Sequence, residues 1–311
     1  MSSRPGRRVR ARVVALVGTA PFAPLLRRFG RYPPAPRPDP GVTRQVEAYA
    51  APDGRFQRTG EWWVPAGGAG SGVPLPTVVL VHGGFWRPGY DRHLQDAVAA
   101  DLANRGHLVW NLDYRSAAAP WPATLADVAA GYDHLGTGTH APLVDRARIA
   151  VVGHSAGGHL ALWLASRHRL PAGTSAVLTP AAAVPRPALA VSQAGVADLT
   201  RAAAELLGDR AAVHFVGASP DRAPDRYAVA DPSLLLPTGV RTVLVHGIAD
   251  HTVPPAQSEG YVAAATAARD DSRIALVEGG HLEHLDPASP AVARLRDALA
   301  RMGPTVPRSR S

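Results

Sequence analysis

Three residues far apart in the chain have the types that acyl transfer requires. Ser155 stands at the apex of Gly153-His154-Ser155-Ala156-Gly157. A serine hydroxyl is protonated at neutral pH and attacks a carbonyl only when a base takes its proton. His281, directly after Gly279-Gly280, is the candidate base, since an unperturbed imidazole titrates near ~6.5. His284, three residues on, competes for that role. Asp250 is the candidate acid that fixes the imidazole tautomer and stabilises the imidazolium. The order is Ser, Asp, His, separated by 95 residues (155 to 250) and 31 residues (250 to 281). The tetrahedral intermediate of acyl transfer also needs donors for its oxyanion. The N–H of Ala156 and those of Gly83 and Gly84 are the candidates; losing one such donor typically costs about 10²–10³ in rate. Each residue also has a plainer reading. Ser155 would be a structural serine in a glycine-rich turn, Asp250 a loop acid capping the next helix, and His284 a lid or helix-cap residue.

These side chains act together only if the fold brings them to one place. Residues 149–152 are a short apolar run suited to the middle of a parallel sheet. Residues 160–164 read as a helix, uninterrupted by proline until Pro171. Gly153 and Gly157 lack Cβ atoms where strand and helix approach. Strand, tight turn and helix together form a nucleophile elbow. Upstream, residues 46–49 and 61–64 are expected to pair antiparallel around a turn at Asp53-Gly54. A β-branched strand at 77–81 ends abruptly in His82-Gly83-Gly84, and a helix at 94–104 is capped by Gly106. A strand at 108–112 leads into Asp113-Tyr114-Arg115, and an amphipathic helix covers 121–135. Downstream come strands at 188–191, 242–245 and 274–277, with helices at 257–268 and 291–302. Residues 200–236 break the alternation and are expected to form a small lid insertion. The pattern predicts an α/β fold: a mostly parallel central sheet with helices on both faces. Ligand sites in such sheets form at the carboxyl ends of strands. His82-Gly83-Gly84, Ser155, Asp250 and His281 all fall at that edge.

The pocket wall is expected from Phe85 and Trp86, with Trp121 and Trp163 as further candidates and Trp163 equally suited to the core. Asp198, at a strand end, is expected to face the pocket. His82 is expected to brace the oxyanion loop and His154 to pack beside the elbow, while His246 and His251 read as structural. The thirteen histidines are scattered over strand ends without a ligand pair on one helix face, so no metal site is expected.

The chain has 311 residues, no cysteine and a formal charge of +8. Thiol catalysis and disulfides are thereby excluded. Residues 1–44 hold ten arginines and one acid (Asp39), giving +9, while the remainder is at −1. The basicity belongs to a tail, and nucleic-acid binding is not expected. Residues 1–41 read as a Pro-rich disordered tail preceding one domain at 42–302, and 303–311 as a second tail. The apolar run at 13–20 is too short to span a membrane. It is also marginal as a signal peptide, because Pro21 and Pro24 interrupt the stretch directly after it. A cytoplasmic location is expected, with secretion or membrane-surface contact through the tail as the alternatives.

Six motifs then carry a resemblance: HGGFW, DYR, WPA-x-x-x-D, GHSAGGHLA, HG-x-x-D-x-x-VP and GGH. Together, over residues 42–302, they resemble the α/β-hydrolase superfamily, and more narrowly its esterase and kynurenine-formamidase-like branch. Trp86 is similar to the Trp of the HGG-x-W found in arylformamidases. Phe85 departs from the HGGG of hormone-sensitive-lipase-type esterases, and Leu282 stands where relatives often have an aromatic. The resemblance implies a Ser155–Asp250–His281 triad without a cofactor. It implies a serine hydrolase that cleaves small carboxylic esters through an acyl-enzyme. An arylformamidase acting on N-formyl-kynurenine-type amides is the alternative. A noncatalytic ligand-binding scaffold is the reading from a different class.

Overall fold

The β-branched run Thr77–Val81 has apolar side chains on both faces, and a strand of that kind must be covered on both sides. In the structure, a computed structural model that describes residues 39–302 apart from 51–53, 55–56 and 181–183, it forms the middle of the sheet. The expected tails at 1–41 and 303–311 therefore lie outside the described residues except for 39–41, as does Asp53 of the expected turn.

Among the described residues there is one eight-stranded sheet. Its strands are β1 (Thr43–Ala50), β2 (Gln57–Val64), β3 (Leu75–Val81), β4 (Leu108–Leu112), β5 (Val144–His154), β6 (Leu189–Gln193), β7 (Arg241–Gly247) and β8 (Ser272–Val277). The spatial order is β1-β2-β4-β3-β5-β6-β7-β8. The β1–β2 and β2–β4 pairs are antiparallel, and every other pair is parallel. The parallel part is the crossover sheet that alternating strands and helices predict.

Period-two alternation sorts the core into two layers. Val79, Val81, Trp110 and Val151 face one side, where Leu125 and Val128 of α2 (Ala123–Asp133) and Leu160 and Trp163 of α3 (Ala156–Ser166) cover them. Val78, Leu80, Val109 and Val152 face the other, under Val98 and Leu102 of α1 (Asp96–Asn104) and Val292 and Leu295 of the last helix (Pro290–Ala300). Trp62 and Trp63, adjacent on β2, go to opposite layers for the same reason. Between β6 and β7 the chain inserts three short helices: α4 (Leu199–Ala204), α5 (Leu207–Val216) and α6 (Pro224–Ala230). They occupy the expected lid segment. Helix α7 (Ala256–Ala267) then links β7 to β8, and the Pro290–Ala300 helix is α8.

The DYR and WPA-x-x-x-D motifs turn out to be scaffolding. Arg115 donates from Nε and Nη2 to Asp127 at 2.8 and 2.6 Å, and its own N–H reaches the same carboxylate at 2.9 Å. Asp127 is completely buried, so this bidentate pair satisfies a charge that could not stand alone inside the protein. It ties the loop after β4 to α2.

Candidate active site

Ser155 joins the end of β5 to α3 with φ 57° and ψ −122°. That conformation is rare for a residue with a side chain and is held only where the surroundings force it. Its N–H donates to Gln193 O of β6 at 2.8 Å. The forcing comes from close backbone contact at the two flanking glycines. A Cβ on Gly157 would lie 1.9 Å from Val81 O, and one on Gly153 would lie 2.0 Å from Gly157 O. Helix α3 therefore starts directly above β3 and β5, with Ser155 before its first turn.

Asp250 follows β7, and His281 follows β8. The His281 ring donates from Nδ1 to Asp250 Oδ2 at 2.7 Å. This leaves Nε2 as the ring's acceptor, which is the tautomer a general base requires. The other carboxylate oxygen, Oδ1, accepts from the N–H groups of Thr252 and Val253 at 2.8 and 2.9 Å. Burial alone would raise the Asp250 carboxyl. Contacts from His246 and His281, with the Val253 N–H, outweigh burial and hold it far below the usual carboxylate range. The acid thus stays ionised and faces the imidazole. His284 makes no such contact. It is buried in a short turn, neither ring nitrogen has a partner among the described residues, and burial followed by the charges of His246 and His281 lowers it to about 3. Of the two competing histidines, the structure brings His281 to Asp250.

Two further histidines do more than packing and spacing indicated. His246 lies 3.4 Å from Asp250 Oδ2, while its Nε2 donates to Val253 O at 2.9 Å and its Nδ1 accepts from Ser258 Oγ at 2.7 Å. His154 donates from Nε2 to the carbonyl of His281 at 2.8 Å, with the two rings 4.7 Å apart. It ties the elbow to the loop carrying His281. Burial, then the neighbouring His281 and His284, pushes His154 well below its ordinary value, so it acts as a neutral donor. Its place in Gly-x-Ser is the one sequence signal for this contact. His251 is exposed.

The loop after β3 approaches from the opposite side. A Cβ on Gly83 would lie 3.0 Å from Ser155 Cβ, so this backbone runs beside the serine. Ala156 opens α3, where the first N–H groups have no intrahelical acceptor. Gly83 and Ala156 thus adjoin Ser155, and Gly84 follows in the same turn, against Tyr90. His82 braces the loop as expected. Its Nδ1 donates to Gly83 O at 2.8 Å and its ring stacks on Tyr114 at 4.1 Å. Tyr114 Oη in turn donates to His82 O at 2.7 Å, and Asp113 beside it is held by Arg92. Gly84, Phe85 and Trp86 all have positive φ, a tight turn that sets Trp86 edge-on to His159 of α3.

Trp86 is buried and stacks on Phe215 of α5, with centroids 4.6 Å apart at 21°. Phe85 is half-buried against Gly208. Trp163 is a core residue whose Nε1 donates to Val229 O, and Trp121 packs edge-on to Phe215. Asp198, expected to face the pocket, is half-buried and has a capping role. Its carboxylate is the N-cap of α4, accepting from Arg201 N at 2.7 Å. A strand end is also where the following helix begins, so position alone did not separate a pocket acid from a cap. Among the described residues no cluster of three or more His, Asp or Glu side chains could hold a metal ion.

This geometry agrees with a family comparison. The BD-FAE family model matches residues 67–264. The chain belongs to the BD-FAE family, an α/β-hydrolase-type esterase family. The BD-FAE match contains the loop after β3, Ser155 and Asp250, and ends before His281. No curated protein matches the sequence. Solved structures similar to this BD-FAE chain include esterase B from Lactobacillus rhamnosis, at 20% identity and a TM-score of 0.73 over 94% of each chain. A thermophilic esterase from the planctomycete Thermogutta terrifontis is similar at 20% identity and a TM-score of 0.67, over 91% of this chain and all of the other. A truncated carbohydrate esterase from gut microbiota is similar at 19% identity and 0.68, over 85% and 98%. At these identities the likeness establishes the α/β-hydrolase fold.

Proposed function

We propose that this chain is a serine hydrolase that cleaves small carboxylic esters through an acyl-enzyme. The observation that carries the reading is the 2.7 Å bond from His281 Nδ1 to Asp250, made at the sheet edge where the elbow presents Ser155. In this reading His281 Nε2 takes the Ser155 proton as Oγ attacks the ester carbon. The N–H groups of Ala156, Gly83 and Gly84 receive the developing oxyanion. His281 then passes its proton to the leaving alcohol, and water, activated by the same imidazole, releases the acid. Asp250, held ionised, supports the imidazolium in both halves of the reaction.

Membership of an esterase family supports ester hydrolysis. The similar Thermogutta terrifontis esterase has been solved with propionate and with butyrate bound, which fits a small acid product. A second reading, hydrolysis of N-formyl-arylamines, uses the same groups. It is favoured by Trp86 in HGGFW, buried beside the elbow. Comparing kcat/KM for N-formyl-kynurenine with that for short acyl esters separates the two.

Purified protein should turn over p-nitrophenyl acetate and be labelled by a fluorophosphonate. Ser155→Ala should abolish labelling and lower kcat by a factor on the order of 10⁴–10⁶. His281→Ala should be similarly inactive while His284→Ala retains turnover. Normal turnover by Ser155→Ala would sink the proposal. No helix of the described residues is long and apolar enough to cross a membrane.

A further inference from the structure

Strand β8 closes one end of the sheet, and among the described residues no strand pairs with its outer side. Its contacts with β7 tell which backbone groups are left over. Thr242 N donates to Asp271 O, and Ile248 N donates to Val277 O. In a strand the N–H and C=O of one residue point the same way, and successive residues alternate. Asp271, Arg273, Ala275 and Val277 therefore turn their backbone groups toward β7. Ile274 and Leu276 turn theirs outward. An edge of this kind is a template for another extended chain.

A groove of about 420 Å³ runs along this edge, between residues 273–276 and the C-terminal part of α8. Val243 and Ala275 point to the α8 side of the sheet. By the same alternation so do Arg241 and Arg273, and there Arg294 and Arg301 join them in lining the groove. Asp297 is the one acid in that lining, paired with Arg294 at 3.1 Å. Arg241 donates from Nη1 to the carbonyl of Arg301 at 3.0 Å, a neutral acceptor that fixes the guanidinium without compensating its charge. Arg273 reaches Asp271 only at 3.6 Å, with both side chains more than half exposed. The groove is thus a cationic face on a domain near neutrality, since residues 45–311 sum to −1. The other face of the edge is apolar: Ile274 is partly exposed and Leu276 is 47% exposed. A chain pairing here would send alternate side chains to the two faces. Acids would meet the arginines, and apolar residues would meet Ile274 and Leu276.

We propose that the β8 edge docks an extended acidic segment of another protein, with acidic and apolar residues alternating, as an added strand. The chain's own ends do not match this groove, since residues 1–38 and 303–311 carry arginines and no acid. A second copy does not match it either. Two β8 edges pairing antiparallel about a two-fold axis normal to the sheet would set arginines against arginines on the same face. The proposal stands apart from the hydrolase reading. Its test is fluorescence anisotropy of a fluorescein-labelled peptide of alternating glutamate and valine with the full chain. A control peptide carries the same residues in two blocks. The alternating peptide should bind saturably, and the blocked one about tenfold more weakly. Leu276→Pro removes an outward N–H without touching the pairing to β7, where an edge strand tolerates proline. It should weaken binding by about tenfold. The double variant Arg273→Glu, Arg294→Glu should weaken it at least as much, and it carries the test if circular dichroism shows the proline variant unfolded. Both variants keep the arginines of the N-terminal segment, so unchanged binding by a folded variant would belong to those arginines and overturn the proposal. Equal binding of the two peptides, no binding at all, or a dimer of the unaltered chain in gel filtration that Leu276→Pro dissociates would overturn it as well.

Discussion

Ser155 needs a backbone conformation that suits glycine better than serine, with φ 57° and ψ −122°. Strain of this kind amounts to about 1–3 kcal/mol. Ser155→Gly should therefore be inactive yet more stable by about 1 kcal/mol, after allowing for glycine's larger unfolded-state entropy. Ser155→Ala should be inactive without that gain. Urea midpoints of the three proteins check this, and equal midpoints for the glycine and alanine variants would contradict it. Ser155 is legible in the sequence because its flanking glycines mark a turn that allows no Cβ. Asp250 and His281 are legible because each follows a strand. The contacts of His154 and His246 are not. They depend on where two loops meet, and neither periodicity nor spacing fixes that. Phe215 carries no sequence signal for the same reason: its neighbour Trp86 is more than a hundred residues away.

At the scale of elements, Asp198 shows how one position serves two purposes in a parallel sheet. The carboxyl end of β6 faces the site, and it is also where α4 must be capped. Asp198→Ala should cost about 1 kcal/mol of stability through the lost cap while leaving kcat/KM for p-nitrophenyl acetate unchanged. A fall in kcat/KM at unchanged stability would restore it to the pocket. The strands and the major helices can be read from the sequence, since apolar runs of fixed length leave few options. Element ends shift more. Strand β5 extends from the expected 149–152 to Val144–His154, because its outer residues are polar and carry no apolar signal. The inserted helices can be located but not oriented. Three successive left-handed residues at Gly208–Arg210 turn α5 toward Phe85, and two of them are non-glycine residues that do not announce such a turn.

Over the whole molecule, the buried histidines make stability depend on pH. Burial keeps His82 and His154 below their ordinary values, His159 at about 4 and His284 at about 3. Unfolded, each titrates near ~6.5. The unfolded chain thus binds more protons below that value, and stability falls as pH drops from ~6.5 toward the folded values. Each fully buried histidine contributes about 1.4 kcal/mol per pH unit across that window. Asp250 acts in the same direction but later: its lowered carboxyl stabilises the fold above ~3.9, and that contribution fades only as pH falls further. The partly exposed His93, raised by Asp96, opposes them weakly. The urea midpoint should therefore be lower at pH 5 than at pH 7, and a flat midpoint over that interval would contradict the burial of these rings. The net charge of the chain gives no hint of this, because the rings concerned are buried and uncharged in the folded protein. The same burial has an optical consequence. Trp62, Trp63, Trp86, Trp110 and Trp163 are all sealed from water, leaving Trp121 as the one partly exposed indole of the six. Native emission should lie well to the blue. Trp86 alone of the five sealed indoles sits in the turn beside the serine, face to face with an inserted helix, so a ligand that pries that helix away should change the colour of the protein's own fluorescence without any dye.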